Sequence, residues 1–476
     1  MVLFKVIPKG FIPDQDVGNF IVFTEADADI GFELMIKRQK QVADIIKNHP
    51  DVESLVYNVG AGGISQTLNS GFIIVRLKPY DKRRHDAKKI INQLRDKVNK
   101  VPGMKVFLQN IPVIPVGGKM TKGAYQYIVL DPNVKELQHA VDLLQRKFEV
   151  LPELQDVNND LQMVTPQIEL NIDREKAAFL GVSMDNIENT LYAALGTLQI
   201  STIYSESDTY KVILEILPQY NNQNLLTKLE VRSNNGSLVP LGAIATISVG
   251  NELSTINHQG QIPAATISFN LKSGVSLSNA LAAIEKTTKK LHLPNGLTMQ
   301  FSGIAETFKS SLNSLAVLLL IVILVVYILL GMLYESFIHP LTVLSGLPAA
   351  AFGALFTLFI FNIDLDLYGF IGLIILVGIV KKNAIMMIDF ALSNQRNDHL
   401  KPREAIYNAC LTRFRPIMMT TMSAILGSLP IALGIGSVSI ETQRSLGVAV
   451  VGGLIFSQVL TLYITPVIYL YLSKKS

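Results

Sequence analysis

The sequence predicts an α+β membrane protein, with a soluble strand-and-helix half up to about residue 305 and a five-helix transmembrane bundle after it. Three observations lead there. Hydrophobic residues make up 49% of the chain and charged residues only 17%, with mean hydropathy +0.34, more apolar than a soluble chain of 476 residues usually is. These values average an ordinary soluble mixture and a C-terminal part in which long apolar runs follow one another. In the first part, strand and helix periodicities alternate.

The N-terminus, MVLFKVIPKG, is a short apolar stretch broken by Lys5 and stopped by Pro8, without a small-residue cleavage site. It reads as the exit of a membrane helix rather than a signal peptide. Between Gly10 and Ser302 a β-α-β order is expected at about 20–78, 124–160 and 264–302, with an insertion at about 165–260. Inside the insertion, QIELNI places Ile168, Leu170 and Ile172 on one face of a half-buried strand. Asp173 caps a short helix that Gly181 stops, and Ser183 opens another with Ile187 and Leu191 on one side. Further on, Ala264–Leu271 alternates as a strand and Val275–Leu291 is an amphipathic helix leading to the strand Leu297–Phe301. The segment Asn58–Gly71 is rich in glycine and small polar residues, the composition of a loop whose backbone others can approach closely.

Five spans are expected: Leu312–Leu333, Leu341–Phe361, Leu367–Leu392, Ile417–Ile435 and Leu446–Leu472. Each is near the roughly 20 residues that cross a bilayer. The short link Tyr334–Pro340 makes the first two an antiparallel pair. Small residues in the second span (Gly346, Ala349–Ala351, Gly353) and the last (Gly447, Gly452, Gly453) suit close helix packing. Pro430 and Pro466 lie inside apolar runs and are expected to kink their helices. The segment Ser393–Pro416 and the tail residues Lys474 and Lys475 carry the cations, whereas the opposite loops carry only Arg444. By the positive-inside rule that segment and the C-terminus are cytoplasmic, and the soluble half lies across the membrane.

The third span holds the most telling feature. Lys381 and Lys382 interrupt LYGFIGLIILVGIVKKNAIMMIDFAL near its hydrophobic centre. An ammonium there costs at least about 2.5 kcal/mol, so it faces a partner or a water path rather than lipid. Asp389 lies two turns beyond and reads as a carboxylate near the helix end. Thr420 and Thr421 are intramembrane hydroxyls that can bond back to their own helix.

Other classes find little support. The one cysteine, Cys410, rules out an intrachain disulfide and a multi-thiolate metal site. The seven histidines are scattered without an HExxH, so no metal site is expected. A net charge of +4 is small for this length, and nucleic acid is not an expected partner.

Several blocks together resemble the RND (resistance-nodulation-division) exporters: FIPDQDVGNF at 11–20, IDREKAAFLGVS at 172–183, LYESFIHPLTVLSGLPAAAFGAL at 333–355, GIVKKNAIMMIDFAL at 378–392 and RFRPIMMTT at 413–421. The KKNAIMMIDFAL form resembles most the multidrug, hydrophobe/amphiphile branch. The resemblance implies the C-terminal half of a Gram-negative inner-membrane pump, without its first helix. Residues 1–11 would leave that missing helix, 12–112 would be one porter subdomain, and 113–163 with 262–304 another. Residues 164–261 would be a docking domain, and 305–476 the bundle.

The resemblance also implies a function: export of amphiphilic compounds driven by the proton motive force, with no cofactor and no enzymatic reaction. Lys382, Arg413 and Thr420 match the lysine, arginine and threonine of the family's proton relay. The two aspartates that face them are absent here, since no span carries two adjacent carboxylates, so an N-terminal half must supply them. The other implied partners are further subunits in a trimer, a periplasmic adaptor, an outer-membrane channel and amphiphilic small molecules. Gly60, Ala61, Gly62, Gly63 and Ile64 resemble the family's glycine-rich substrate-pathway loop. Val56 and Ile74 take pocket positions where aromatics are familiar in the family, as do Ala61 and Gly63. Two alternatives stay open: a metal-ion exporter, for which Met104, Met120 and Met163 are sparse, and a non-transporting remnant or interaction subunit of a split pump.

Overall fold

Strand pairing organises the soluble half around one repeated plan. In a computed structural model, described for all residues except 1, 14, 28–29, 61–66, 113–115, 162–164, 197, 218–222, 253–254, 292, 295, 436–441 and 474–476, the chain opens with helix α1 (Val2–Val6). The first subdomain follows as β1 (Asn19–Ala26), α2 (Phe32–Lys47), β2 (Val52–Val59), β3 (Ser70–Leu77), α3 (Ala87–Val98) and β4 (Met104–Asn110). Its sheet order is β2-β3-β1-β4, antiparallel throughout. Alternation along β1 sends Phe20 and Val22 to the helices, where Met35, Val42 and Ile46 of α2 and Ile90, Leu94 and Val98 of α3 complete the core. One polar group is built in: buried Gln39 of α2 accepts from the Thr24 hydroxyl at 2.6 Å and donates to the Asn58 carbonyl at 3.4 Å. A side chain at Gly71, opposite Val59 in the ladder, would meet that same Asn58 carbonyl, which explains the glycine there.

The second subdomain begins with β5 (Tyr125–Leu130), α4 (Val134–Glu149) and β6 (Leu154–Asn159). There the chain leaves for a separate unit, Gln162–Thr255. That unit contains β7 (Thr165–Ile172), α5 (Arg174–Phe179), α6 (Met184–Leu195), β8 (Leu198–Tyr204), β9 (Thr209–Leu214), α7 (Gln223–Lys228), β10 (Glu230–Arg232), β11 (Leu238–Pro240), α8 (Leu241–Ile244) and β12 (Ala245–Glu252). Asp173 and Ser183 cap α5 and α6 through their side chains, and Gly181 between them takes φ +71°. The core gathers Ala177, Ile187, Val231, Leu241 and Ile244. Leu170 and Ile172 pack on it, but Ile168 is 47% exposed, because two-stranded β7–β12 outruns that small core.

The chain then returns with β13 (His258–Gln259), β14 (Ile262–Leu271), α9 (Leu277–Lys290) and β15 (Thr298–Ser302). Strand β14 pairs with β6 and β5, and β5 with β15, so the order β6-β14-β5-β15 repeats the plan of the first subdomain. The insertion sits between its second and third strands. The expected alternation in β14 is not what burial shows, since residues 264–270 are all buried. A central strand covered on both faces loses the polar-out signature. Two ion pairs tie the subdomains together: Arg95–Asp156 at 2.8 Å and Lys122–Glu25 at 2.6 Å.

The bundle comprises α10 (Ile304–Tyr334), α11 (His339–Leu344), α12 (Leu347–Ile360), α13 (Leu367–Asn397), α14 (Pro402–Leu433) and α15 (Arg444–Ser473). Five stretches are long and apolar enough to cross a membrane, with α11 and α12 making one of them. The expected second span is interrupted near Gly346 because Pro348, in the first turn of α12, brings no N–H to continue the ladder. The first span starts earlier than expected, at Ile304, directly after β15.

The largest correction concerns the basic segment between the third and fourth spans. Only Asp398–Lys401 separates α13 from α14, so Arg413 and Arg415 are helical rather than in a loop. Pro402 starts α14 where a missing N–H costs nothing. For the same reason Asp389 lies well inside α13 and not near its end. Pro430 and Pro466 fall within helices. Close packing is built from glycine: a Cβ on Gly452 would overlap Thr357, and one on Gly453 would overlap Leu376. Helix α1 also belongs here, with Ile7 just after it buried in the bundle and Phe4 edge-on to Phe370 at 6.2 Å.

Candidate functional site

Three buried polar side chains fix the middle of the bundle. Asn383 of α13 donates to the Thr421 hydroxyl of α14 at 2.9 Å and to Gln458 Oε1 of α15 at 3.2 Å. Thr421 donates to the same Gln458 oxygen at 2.7 Å, and Gln458 Nε2 lies 3.2 Å from Met418 sulfur. An unpaired amide in a membrane is costly, so each group draws the other two to one depth. The register of three helices is thereby set.

That register places the expected relay residues. Lys382 precedes Asn383 and Thr420 precedes Thr421, each about 100° around its helix. Joined by a four-residue link, α13 and α14 run antiparallel. Viewed down one axis such helices wind in opposite senses, so both steps swing to the same side. Lys382 and Thr420 therefore share a level and a side, and both are exposed. On α13 the exposed positions recur as Ile371, Ile375, Gly378, Lys382 and Asp389, one continuous stripe. Arg413 is seven residues before Thr420 and Asp389 seven after Lys382, so each lies on the same face about 10 Å nearer the α13–α14 link. The Arg413 guanidinium stands over the Phe390 ring at 4.7 Å, and its Nε is buried without a hydrogen-bond partner. Thr420 bonds back to the Ile417 carbonyl at 3.1 Å, as its type suggests.

A second polar tie holds the start of α13. Asp366 caps the helix by accepting from the Gly369 N–H at 2.8 Å and from the Ser445 hydroxyl of α15 at 2.6 Å. Burial pushes its carboxyl up to about 6, against the lowering by those two hydrogen bonds. Neighbouring Asp364 is also raised by burial, with Lys88 acting the other way.

In the first subdomain the sheet face turned away from the helices is apolar. Val56 and Ile74 stand directly opposite each other on β2 and β3, 70% and 41% exposed. Ile21 continues their row, and the next row holds Phe72, Phe23 and Phe107. Gly60 directly follows the end of β2 with φ +82°, its N–H bonded to the Ser70 carbonyl at 2.8 Å. Ala61, Gly62, Gly63 and Ile64 lie outside the described residues.

Sequence reasoning missed Asn383, Gln458 and the phenylalanine row. The signals were present: an asparagine next to the intramembrane lysine, a glutamine in the last span, and phenylalanines in phase with Ile74.

The structure resembles two crystal forms of a heavy metal efflux pump, each at TM-score 0.88 and 25% identity over 100% of this chain. The match covers 49% of the pump's own length, so the chain spans about half of it. A family model described as AcrB/AcrD/AcrF matches residues 1–473. The chain therefore belongs to the AcrB/AcrD/AcrF family, the RND efflux transporters.

Proposed function

We propose that this chain is the C-terminal half of a proton-driven RND exporter of the hydrophobe/amphiphile branch, moving drugs and other amphiphilic compounds out through the Gram-negative envelope. The observation that carries the reading is the exposed face shared by Lys382 and Thr420, with Arg413 on the same side. A lysine at that depth calls for anionic partners on another helix. In this reading the N-terminal half supplies an aspartate pair opposite Lys382. Protonation of that pair releases the ammonium to reorient, and the change in attraction biases the tilt of α13.

Residues 12–112 and 113–163 with 262–304 then serve as porter subdomains, and 164–261 as the docking domain toward an outer-membrane channel. The pump works as a trimer with a periplasmic adaptor, its large domain in the periplasm and its C-terminus in the cytoplasm. The apolar face of Val56, Ile74 and Phe72 supports amphiphilic cargo, which such a surface binds by area rather than by coordination.

The likeness to a heavy metal efflux pump favours a second reading, metal-ion export. Against it, Met104 is a packing residue of the first subdomain core and Met120 is 57% exposed, while Met163 lies outside the described residues.

One experiment separates the readings. The chain is co-expressed with an N-terminal half carrying the aspartate pair, in cells stripped of other pumps. Efflux of a cationic amphiphilic dye and resistance to heavy metal ions are then measured. Dye efflux that Lys382→Ala returns to background is the expected result. Metal resistance without dye efflux would transfer the chain to the metal branch, and normal efflux with Lys382→Ala would end the relay assignment.

A further inference from the structure

The segment KPYDKRRHDAKK, residues 78–89, carries six lysines and arginines against two aspartates, the densest positive run in the soluble half. Lys78, Lys82, Arg84, Lys88 and Lys89 are exposed, and so is Tyr80, at 51%. No carboxylate is ion-paired with any of those five side chains among the described residues.

Its place in the fold is fixed by the linker before β1. The Pro8 and Phe11 carbonyls accept from the Leu365 and Leu367 N–H groups, pinning this linker to the start of span α13. Five residues later Asp16 accepts from the Ala87 N–H at 2.7 Å and pairs with Arg83 at 2.8 Å. Five residues reach no more than about 18 Å, so the basic segment lies that close to the end of a transmembrane helix. Lys88 is near enough to act on the Asp364 carboxyl, three residues before α13. Long translocated domains cross the membrane regardless of their charge, so topology does not account for these cations.

The segment also borders a cavity of about 400 Å³ lined by Arg76, Lys78, Tyr80 and Arg83, with Asp16 and Glu53 as its acidic members. Glu53 is paired with Arg76 at 3.2 Å, and Asp16 with Arg83. The Arg83 side chain is 3% exposed, yet its Nε and Nη1 are buried without hydrogen-bond partners. A buried guanidinium with donors to spare, beside a cavity and exposed lysines, is the chemistry that takes a phosphate.

We propose that residues 78–89 and this cavity form a docking surface for anionic phospholipid headgroups in the leaflet nearest the soluble half, holding the first subdomain against the membrane. The phosphate enters beside Arg83, the surrounding cations meet neighbouring headgroups, and Tyr80 sits at the headgroup level as interfacial tyrosines do. The proposal rests on the reading of the five helices as membrane spans, and it is independent of the cargo.

The test uses the full chain, purified in detergent and offered phosphatidylglycerol, phosphatidylcholine or inorganic phosphate, with retained lipid read by native mass spectrometry. The wild type is expected to retain phosphatidylglycerol over phosphatidylcholine. A variant with Lys78→Gln, Lys82→Gln, Arg84→Gln and Lys89→Gln is expected to lose that preference by at least about fivefold, the effect of one cation at a membrane surface. A control with Lys105→Gln, Lys135→Gln, Arg146→Gln and Lys147→Gln removes equal charge elsewhere and is expected to keep it. All eight positions are exposed, and unchanged thermal melting confirms folding. Equal preference in wild type and patch variant would overturn the proposal, as would equal loss in the control. Displacement of the lipid by equimolar inorganic phosphate would make this a free-anion site and also overturn it. Altered self-association of the patch variant with unchanged lipid retention would assign the surface to a protein partner.

Discussion

The α13–α14 pair has a closed side and an open side, and they treat polar groups in opposite ways. On the closed side Asn383, Thr421 and Gln458 satisfy one another, and Asp366 is held by Ser445 and its own helix end. On the open side Lys382, Thr420 and Asp389 are exposed, and none of the ion pairs among the described residues includes Lys382. One residue of helix separates the two conditions. The closed side fixes register and depth, and with them the level at which groups on the open side stand. In the proposed reading, stability and transport fall to adjacent residues.

The largest effect that would break this division is on Lys382. Lys382→Ala is expected to abolish dye efflux in the complemented pump while leaving the melting temperature of the purified chain unchanged. A large loss of melting temperature would mean that the open side also carries the fold.

Asp366→Asn tests the closed side by pH. The folded carboxyl sits at about 6 against an ordinary 3.8, so the folded state holds its proton more tightly than the unfolded one. Stability from this group is full below about pH 4 and falls as pH rises through 6, by roughly 3 kcal/mol at most. Asparagine keeps the cap and the Ser445 contact without the charge. The variant should therefore melt at the same temperature across pH 4–8, as followed by circular dichroism, where the wild type declines. Parallel curves would refute it.

Gln458→Leu should cost about 1 kcal/mol, because it strips an acceptor from both Asn383 and Thr421 in the membrane. Thermal melting in detergent checks this, and Gln458→Glu, which keeps the acceptor, should recover part of the loss. Lys381→Ala should have the smallest effect. It lies about 100° from Lys382 and off the exposed stripe, so efflux near wild type is expected. Loss matching that of Lys382→Ala would erase the distinction between the two lysines.

Much of this was legible in the chain. Apolar run lengths gave the number of spans, and caps such as Asp173 and Ser183 were readable from residue type and spacing. Local rules suffice where a helix depends on its own backbone and on side chains a few positions away. They failed where neighbours decide. Pattern alone did not show that β14 would be covered on both faces, or that Arg413 and Arg415 would join a helix. An apolar window locates the part of a helix that lipid solvates, and polar turns continue beyond it.

The sequence by itself determined that there are apolar runs long enough for a membrane bundle, that a lysine lies near the centre of one, and that none of those runs carries two adjacent carboxylates. Only the tertiary structure decided which way that lysine faces. Facing depends on rotation about the helix axis, which is set by the hydrogen bonds of Asn383 to two helices distant in sequence. No periodicity along one helix contains that angle, since it exists only relative to the others.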